Sequence, residues 1–305
     1  MPRTMGRGWL IFWIVLAIVI LIGGVCILIP TIAGASSPEV CVRPVLLHLG
    51  GLEIPTHDVF LLLGVLVVLL SFTLELRRRG LSDDRRIWQV ALGALLGGAV
   101  FARLSVSWKY LARAPDPSLG GLWLYGGKTV LGGLAGAYAG ALIAKRAVGI
   151  RWSTGDLFAP AVCLGLAVGR VGCFLTEQPG TITSLPWGIR VDPATAATIP
   201  NCPQCALGVP MHPSFLYEIV FLLGLYAALR WLRPRVGAQG DLFKIFLVVY
   251  GLFRFLVEYV RGNETFAFGL SGSQVFLLCT LPLLVAYFAR RRVRREQPAR
   301  EAVTR

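Results

Sequence analysis

The chain has 305 residues, of which 55% are hydrophobic and only 15% are charged, and its mean hydropathy is +0.68. Several apolar runs approach or exceed the roughly 20 residues that cross a bilayer, which excludes a soluble globular protein. The net charge of +14 does not indicate nucleic-acid binding, because most basic residues lie in the segments between the apolar runs.

Eight apolar segments are predicted to span the membrane as helices. The first, Trp9–Ile32, is longer than the core of a signal peptide and is interpreted as a retained anchor, with cleavage near Ala33-Gly34-Ala35 as the alternative. The other seven follow at residues 57–76, 87–107, 122–144, 156–175, 214–232, 242–260 and 271–289. We therefore expect an all-α integral membrane protein, with an anchor and linker at 1–44, a membrane domain at 45–290 and a basic tail at 291–305.

The distribution of lysine and arginine between the connecting segments predicts the orientation of the chain. If the N-terminus lies inside, the inner segments hold 21 basic residues, seven of them between Arg290 and Arg305, and the outer segments hold only five. Both termini are therefore predicted to be cytoplasmic. The basic excess on that side also favours contact with anionic lipid.

Four basic residues lie within the predicted spans, where a bilayer makes charge costly and ionisable residues usually serve a function. They are Arg103, Lys128, Arg170 and Arg254. In the predicted orientation all four fall in the outer half of the membrane, where Glu177, Glu218 and Glu258 can neutralise only some of them. The phosphate of an outer-leaflet lipid is the expected partner, since arginine binds phosphate bidentately. The structural alternative is that these side chains snorkel or form ion pairs inside the bundle.

Two spans carry polar patterns of their own. Tyr250, Arg254, Glu258 and Arg261 are spaced i, i+4, i+8 and i+11, which places them on one helical face, either as a structural ion pair or as a ligand-contacting surface. In the fourth span, Gly126-Gly127-Lys128-Thr129 precedes Gly132-Gly133. Small residues in membrane helices usually permit close packing, but the lysine and threonine among them favour a substrate-lining segment.

Three stretches resemble the signature segments of prolipoprotein diacylglyceryl transferases. They are Gly169–Gly180 with Leu185–Gly188, Met211–Glu218, and Tyr250–Arg261. The resemblance covers about residues 45–290 and implies a core of seven transmembrane helices, to which the first span is an addition. It also implies a multi-pass protein of the bacterial inner membrane that moves diacylglycerol from phosphatidylglycerol to the lipobox cysteine of a preprolipoprotein and leaves glycerol phosphate.

The resemblance assigns roles to residues of this chain, with two arginines as the phosphate-binding pair and Gly180 as the glycine that closes the first signature. The expected catalytic residues are Arg170, Arg254, Glu258 and Tyr250. The residues expected to bind substrate are Lys128, Gly132, Gly133, Gly180, Arg261, His57 and His212. The expected partners are phosphatidylglycerol or a related anionic phospholipid, the preprolipoprotein signal peptide and the lipid bilayer. Neither a cofactor nor a metal ion is expected, and the sequence shows no metal-ligand spacing.

The chain departs from the family pattern at four places. Cys173 replaces an asparagine, His57 replaces a tyrosine, one residue before Gly180 is missing, and Leu131 replaces the histidine of a His-Gly-Gly motif. A leucine cannot move a proton, so an active enzyme needs another base, or a cation that lowers the pKa of the acceptor thiol.

Several side chains are candidates for that task. The possible bases are His57, His212 and Glu258, although a capping or interfacial hydrogen bond is the alternative role for each histidine. Lys128 lies three residues before Leu131 on the expected helical face and is the strongest candidate for lowering the thiol pKa. The alternative function is a non-catalytic or differently specific relative that binds phospholipid.

The cysteines outside the signature separate into two groups. Those in the spans are predicted to fill the core, and they are Cys26, Cys163 and Cys279. Those outside the spans, where disulfides persist, are Cys41, Cys202 and Cys205. Either a Cys202–Cys205 disulfide with one cysteine left over or a pairing with Cys41 is expected, because the Cys-x-x-Cys pair alone has too few ligands for zinc. Redox catalysis is a weaker alternative.

Overall fold

The computed structural model describes residues 39–40, 42–50, 52–107, 128–199 and 202–303, with positions 14, 111, 118 and 120. Seven long helices account for most of these residues. They are α1 Thr56–Arg79, α2 Arg85–Leu104, α3 Val130–Ala147, α4 Gly155–Thr176, α5 Ser214–Leu232, α6 Asp241–Val257 and α7 Gly272–Val303. Short helical turns are Pro193–Ala196, Pro203–Leu207, Glu258–Val260 and Ala267–Gly269.

Five of the described helices are long and apolar enough to cross a membrane, which confirms a mostly helical membrane protein. They are α1, α2, α4, α5 and the first part of α7, Gly272–Arg290. The predicted basic tail continues the α7 helix as far as Val303. The predicted first span, Trp9–Ile32, lies outside the described residues except for Ile14.

The predicted start of the fourth span is wrong within the described residues. The helix begins at Val130, and Thr129 is its N-cap, since the Thr129 hydroxyl accepts a hydrogen bond from the Gly132 amide at 3.2 Å. Lys128 therefore precedes the helix and does not share a helical face with Leu131, contrary to the expectation. The first backbone amides of a helix have no partner within the helix, and a threonine hydroxyl can accept a hydrogen bond from them. Thr129 therefore sets the start of the helix at a point that hydropathy does not detect.

Two short two-stranded sheets, which the all-α prediction missed, lie in the connecting segments. Strand β1 (Glu39–Val40) pairs in parallel with β4 (Arg190–Val191), and β2 (Val45–Leu49) pairs antiparallel with β3 (Leu52–Pro55). A small buried cluster packs beside β4 and consists of Val42, Val191, Ala196, Ile199, Cys202, Cys205 and Met211. Strands of two to five residues are too short for an alternating pattern to stand out from the flanking apolar sequence.

The contacts divide the chain into two compact units, residues 1–78 with 155–305, and residues 79–154. In the second unit, glycines bring α2 and α3 together. A Cβ on Gly136 would lie 2.3 Å from the carbonyl oxygen of Gly97, and one on Gly140 would lie 2.1 Å from that of Gly93. This is the close packing that small residues permit in membrane helices.

In the first unit, α4 is the most buried of the apolar helices and packs against α1, α5 and α6. Gly64 of α1 and Gly165 of α4 form the crossing, because a Cβ on either would lie 2.6–2.7 Å from the other's carbonyl oxygen. Asp156 near the start of α4 accepts hydrogen bonds from the amides of Gly240 and Phe243, at 2.6 and 3.0 Å, and so caps α6. These contacts fix the positions of the polar side chains farther along α4 and α6.

Candidate functional site

Ionisable side chains are buried together where the carboxyl ends of α4 and α6 meet the amino end of α5. We call them the arginine cluster: Arg170, Glu218, Tyr250, Arg254, Glu258 and Arg261, none more than 8% exposed. All six belong to the first compact unit. Buried charges are costly unless they are paired and hydrogen-bonded, so the contacts within the cluster decide what it can bind.

Glu218 lies at the centre of the arginine cluster and contacts groups from three elements. Its Oε2 is 2.9 Å from Arg170 Nε and accepts a hydrogen bond from Arg261 Nη1 at 3.4 Å. Its Oε1 accepts a hydrogen bond from the Tyr250 hydroxyl at 2.8 Å. One carboxylate therefore orients both guanidinium groups and the tyrosine.

Glu258 forms a second, separate centre. Its Oε2 pairs directly with Arg254 one helical turn earlier. Its Oε1 accepts hydrogen bonds from Asn263 Nδ2 and Ser271 Oγ, both at 2.7 Å. The four polar residues do not lie on one continuous helical face as expected, because α6 ends at Val257 and a tighter turn carries Glu258. Their side chains nevertheless meet in the cluster, and they are Tyr250, Arg254, Glu258 and Arg261.

Within the arginine cluster, positive charge exceeds negative charge. Three arginines face two glutamates, while the next carboxylate, Glu177, is 44% exposed and lies 3.6 Å from Arg261 Nη2. Burial, together with the positive charges of Arg170 and Arg254, lowers the pKa of Arg261. The buried Nε of Arg254 has no hydrogen-bond partner among the described residues. A bound anion would satisfy that donor and balance the excess charge.

An aromatic ring supports the two guanidinium groups that share Glu218. The ring centroid of Phe215 lies 4.4 Å from Arg261 Cζ and 5.9 Å from Arg170 Cζ. Both distances allow a cation–π interaction, which stabilises the charged groups away from water. Phe215 thus helps to hold the two guanidinium groups in place.

A second group of polar side chains lies at the edge of the arginine cluster. Glu177 Oε1 lies 3.9 Å from His57 Nε2, and Arg170 Nη1 donates to the Cys173 sulfur at 3.5 Å. The ligand atoms of His57, Cys173 and Glu177 all lie within 4.8 Å of one another, so these three side chains could hold a metal ion. These residues are distant in sequence and meet only in the fold, so no sequence spacing reveals the group, and the expectation that no metal is bound stays a prediction.

Gly180 is required by the backbone around it. A Cβ at this position would lie 2.4 Å from the carbonyl oxygen of Val260 and 2.6 Å from that of His212. The Thr181 amide donates to the Val260 carbonyl at 2.9 Å, which ties the segment after α4 to the turn that carries Glu258. The geometry therefore gives Gly180 a structural reason to be glycine, and its role in substrate binding stays a prediction.

His212 makes contacts of another kind. Its Nδ1 lies 3.2 Å from the Tyr217 hydroxyl, which also accepts a hydrogen bond from Trp187 Nε1 at 2.9 Å. These contacts favour the interfacial hydrogen-bonding role over catalysis. Trp187, in the second part of the first signature, is 54% exposed.

The remaining predicted substrate-binding residues belong to the second compact unit. A Cβ on Gly132 would lie 2.2 Å from Ser105 Oγ, so this glycine permits close packing, whereas one on Gly133 would meet only ordinary contacts. Leu131 is half-buried. For Lys128, Gly132 and Gly133, substrate binding stays a prediction.

Several residues of the site were not predicted from the sequence. Glu218 was expected only to neutralise charge, and Phe215, Asn263 and Ser271 were not expected to contribute. The first two lie in the Met211–Glu218 signature, which could have identified them, but Asn263 and Ser271 lie in a loop with no such pattern. Among the cysteines, the Cys202–Cys205 disulfide is confirmed and Cys163 is buried, but Cys279 is exposed, contrary to expectation.

Comparisons with known proteins match the sequence of this chain to one family. The family model described as prolipoprotein diacylglyceryl transferase matches residues 44–290. Similar curated proteins, each named phosphatidylglycerol–prolipoprotein diacylglyceryl transferase, come from Dehalococcoides mccartyi (32% identity, covering 85% of this chain and 97% of the relative), Geobacter sulfurreducens (34%, 72% and 82%) and Clostridium tetani (28%, 83% and 100%).

Proposed function

Since the chain belongs to the prolipoprotein diacylglyceryl transferase family, we propose that it moves the diacylglyceryl group of phosphatidylglycerol to the lipobox cysteine of a preprolipoprotein. The protein is a membrane-bound transferase, and we propose that it lies in the bacterial inner membrane. The signal peptide of the preprolipoprotein and the bilayer are the proposed partners.

The reaction forms one bond and breaks one bond. The acceptor thiol loses its proton, the sulfur attacks the glycerol carbon that carries the phosphate, and the carbon–oxygen bond to that phosphate breaks. Glycerol phosphate leaves with the bonding electron pair, and the product is a thioether. The protein must therefore favour the thiolate, stabilise negative charge on the departing phosphate and keep water out.

The single observation that carries the proposal is the excess of buried guanidinium groups in the arginine cluster. Arg254 presents a buried Nε without a partner among the described residues, and Arg261 and Arg170 are held side by side by Glu218. Arginine is suited to this task because its planar group donates two parallel hydrogen bonds to a phosphate. We assign Arg170, Arg254 and Arg261 to the phosphate, with Tyr250 and Glu258 as positioning residues.

For the thiol proton, the contacts support His57 over the other candidate bases. Both oxygens of Glu258 are occupied by Arg254, Asn263 and Ser271. His212 lies within hydrogen-bond distance of the Tyr217 hydroxyl and, among the described residues, makes no hydrogen bond to the arginine cluster. His57 lies beside Glu177, which in turn lies beside Arg261, so its Nε2 reaches the edge of the phosphate site. We propose that His57 Nε2 accepts the proton and that Asp58, whose Oδ1 lies 3.3 Å from His57 Nδ1, orients the ring.

The second candidate function is a phospholipid-binding relative without transferase activity. Leu131, at the place of the family's motif histidine, is the observation that favours it. The two functions share the arginine cluster and differ in the fate of the acceptor thiol.

The test is transfer by the purified protein in nanodiscs that contain phosphatidylglycerol. A peptide carrying a lipobox cysteine is the acceptor, the same peptide with serine in place of that cysteine is the control, and mass spectrometry detects the added diacylglyceryl group. We expect modification of the cysteine peptide alone, together with release of glycerol phosphate. Bound phosphatidylglycerol without any modified peptide, in the wild type and in Leu131→His, would favour the second function.

A further inference from the structure

The side chains of His57, Cys173 and Glu177 come from two helices and offer one nitrogen, one sulfur and one oxygen ligand. His57 lies at the start of α1, whereas Cys173 and Glu177 are four residues apart at the end of α4 and in the turn after it. Four residues is the spacing that places two side chains on the same side of a helix. Close packing brings the two helices together here, since a Cβ on Gly172 would lie 2.7 Å from Phe60 Cβ and 3.4 Å from His57 Cα.

We propose that these three side chains form a site for a soft or borderline divalent cation of the zinc class. Zinc binds imidazole nitrogen, thiolate sulfur and carboxylate oxygen, with bonds of about 2.0 to 2.3 Å. Tetrahedral geometry at these bond lengths separates the ligand atoms by roughly 3.3–3.7 Å. His57 Nε2 and Glu177 Oε1 are 3.9 Å apart, and all three ligand atoms lie within 4.8 Å of one another, so small side-chain rotations complete the site.

The surroundings explain why the site would bind a metal reversibly rather than as a permanent structural ion. The thiolate and the carboxylate supply two negative charges, which match the charge of the cation. Arg170 lies 3.5 Å from the Cys173 sulfur, and Arg261 lies 3.6 Å from Glu177, so two positive groups oppose binding. His57 and Glu177 are 32% and 44% exposed, which leaves a path for the ion and a fourth ligand position for water.

Occupation of this site would inhibit transfer. The metal would engage His57 Nε2, the proposed base, and would place a dication beside the arginines that receive the phosphate. This consequence rests on the proposed function, whereas metal binding itself does not. The two can therefore be measured separately.

The binding test uses Co²⁺ as a spectroscopic substitute for zinc, with the wild-type protein in nanodiscs and the Cys202–Cys205 disulfide kept oxidised. We expect a thiolate-to-cobalt charge-transfer absorption that saturates with Co²⁺, is displaced by Zn²⁺ and is removed by a chelator. Cys173→Ser should abolish this absorption, and His57→Gln should weaken Co²⁺ binding by about 10-fold or more. Cys279→Ser, which changes an exposed cysteine, is the matched control and should bind Co²⁺ as the wild type does.

The inhibition test measures lipobox-peptide transfer against Zn²⁺ concentration, with recovery after chelation. Absence of the charge-transfer band in the wild type, or its persistence in Cys173→Ser, would overturn the metal site whatever the activity. If Cys173→Ser proves unfolded by circular dichroism, the half-exposed His57→Gln decides the question, and unchanged Co²⁺ affinity in that variant overturns the proposal. Transfer that fails without added metal would count against the proposed function and leave the cobalt result intact.

Discussion

Glu218 orients two arginines and a tyrosine that come from different parts of the chain. Its carboxylate therefore both fixes the arrangement of the arginine cluster and supplies the negative charge at its centre. Glu218→Gln keeps the shape of the side chain but removes the negative charge between Arg170 and Arg261. Removing one partner of a buried ion pair costs about 3–5 kcal/mol. We therefore expect a lower midpoint of thermal unfolding in detergent, together with loss of transfer.

The matched control for this substitution is Glu53→Gln. The Glu53 side chain is 67% exposed and lies 3.8 Å from His48 Nδ1. Exposed pairs contribute little, so the unfolding midpoint should stay close to that of the wild type. Equal midpoints for Glu218→Gln and Glu53→Gln would show that the buried carboxylate does not hold the cluster together.

Arg254 has a buried Nε without a hydrogen-bond partner among the described residues. Arg254→Lys retains the positive charge opposite Glu258 but loses the planar fork that binds phosphate bidentately. We expect kcat/KM for transfer to fall by roughly 100-fold or more, as when one donor to a developing negative charge is removed. Arg77→Lys, at an exposed position of α1, is the control. Transfer at the wild-type rate in Arg254→Lys would show that this arginine only stabilises the structure through its ion pair with Glu258.

His57 and Lys128 are competing explanations for thiol activation, and the pH dependence of transfer separates them. A free cysteine has a pKa of about 8.5, so the acceptor thiol ionises without help as the pH rises towards 9. If His57 is the base, the defect of His57→Gln should be roughly 100-fold or more near pH 7 and should shrink at high pH. His48→Gln, at a side chain 72% exposed, is the control. A larger defect in Lys128→Met than in His57→Gln would support the cation instead.

Most of these charged residues could be found from sequence, but their partners could not. Arg170 and Arg254 stand out because charge within apolar segments is rare. Asn263 and Ser271, which bind Glu258, lie in an ordinary polar loop, and His57 meets Cys173 only through the packing of α1 against α4. Contacts between distant segments leave no periodic signal in a single sequence.

At the scale of elements, the crossing of α1 and α4 positions both His57 and Arg170. Gly64→Ala would place a methyl group 2.6 Å from the Gly165 carbonyl oxygen, so the helices must separate. Overpacking of this kind costs about 1–3 kcal/mol. We expect a lower unfolding midpoint and impaired transfer.

Gly224→Ala in α5 is the matched control for this crossing. Nothing lies within 4 Å of a Cβ at Gly224, and alanine in a helix interior is more stable than glycine by about 0.5–1 kcal/mol. That variant should therefore be as stable as the wild type or more so. If Gly64→Ala unfolds at the same temperature as Gly224→Ala, the close crossing is not a constraint.

Hydropathy predicts the bounds of a helix correctly where proline or charged residues flank the helix. The span predicted at 214–232 coincides with α5, which follows Pro213 and precedes Arg233. The span predicted at 122–144 starts too early, because hydropathy does not detect the Thr129 cap. The short strands β1 and β4 pair across about 150 residues, and such pairing depends on the folded loops rather than on local sequence.

At the scale of the whole molecule, the orientation in the membrane decides which substrates can reach the arginine cluster. The cluster lies at the carboxyl ends of α4 and α6 and the amino end of α5. With 21 basic residues in the segments predicted to be inner and five in those predicted to be outer, these ends are predicted to lie on the outer side. A preprolipoprotein exported across the membrane would present its lipobox cysteine on that same side.

Reporter fusions test this orientation without depending on activity. A reporter after Arg305 and one between α1 and α2, at residues 80–84, should be cytoplasmic, and one within residues 181–210 should be extracytoplasmic. The two cytoplasmic insertions control for each other, because the predicted side of each segment follows from different arginines. Each basic residue contributes about 1 kcal/mol of attraction to an anionic leaflet, so both segments should stay on the cytoplasmic side. If the reporter after Arg305 and the one at 80–84 both lie outside, the cluster faces the cytoplasm. The acceptor would then have to be a thiol presented from that side, so the proposed transfer to an exported preprolipoprotein would be lost, even though the phosphate-binding geometry would be unchanged.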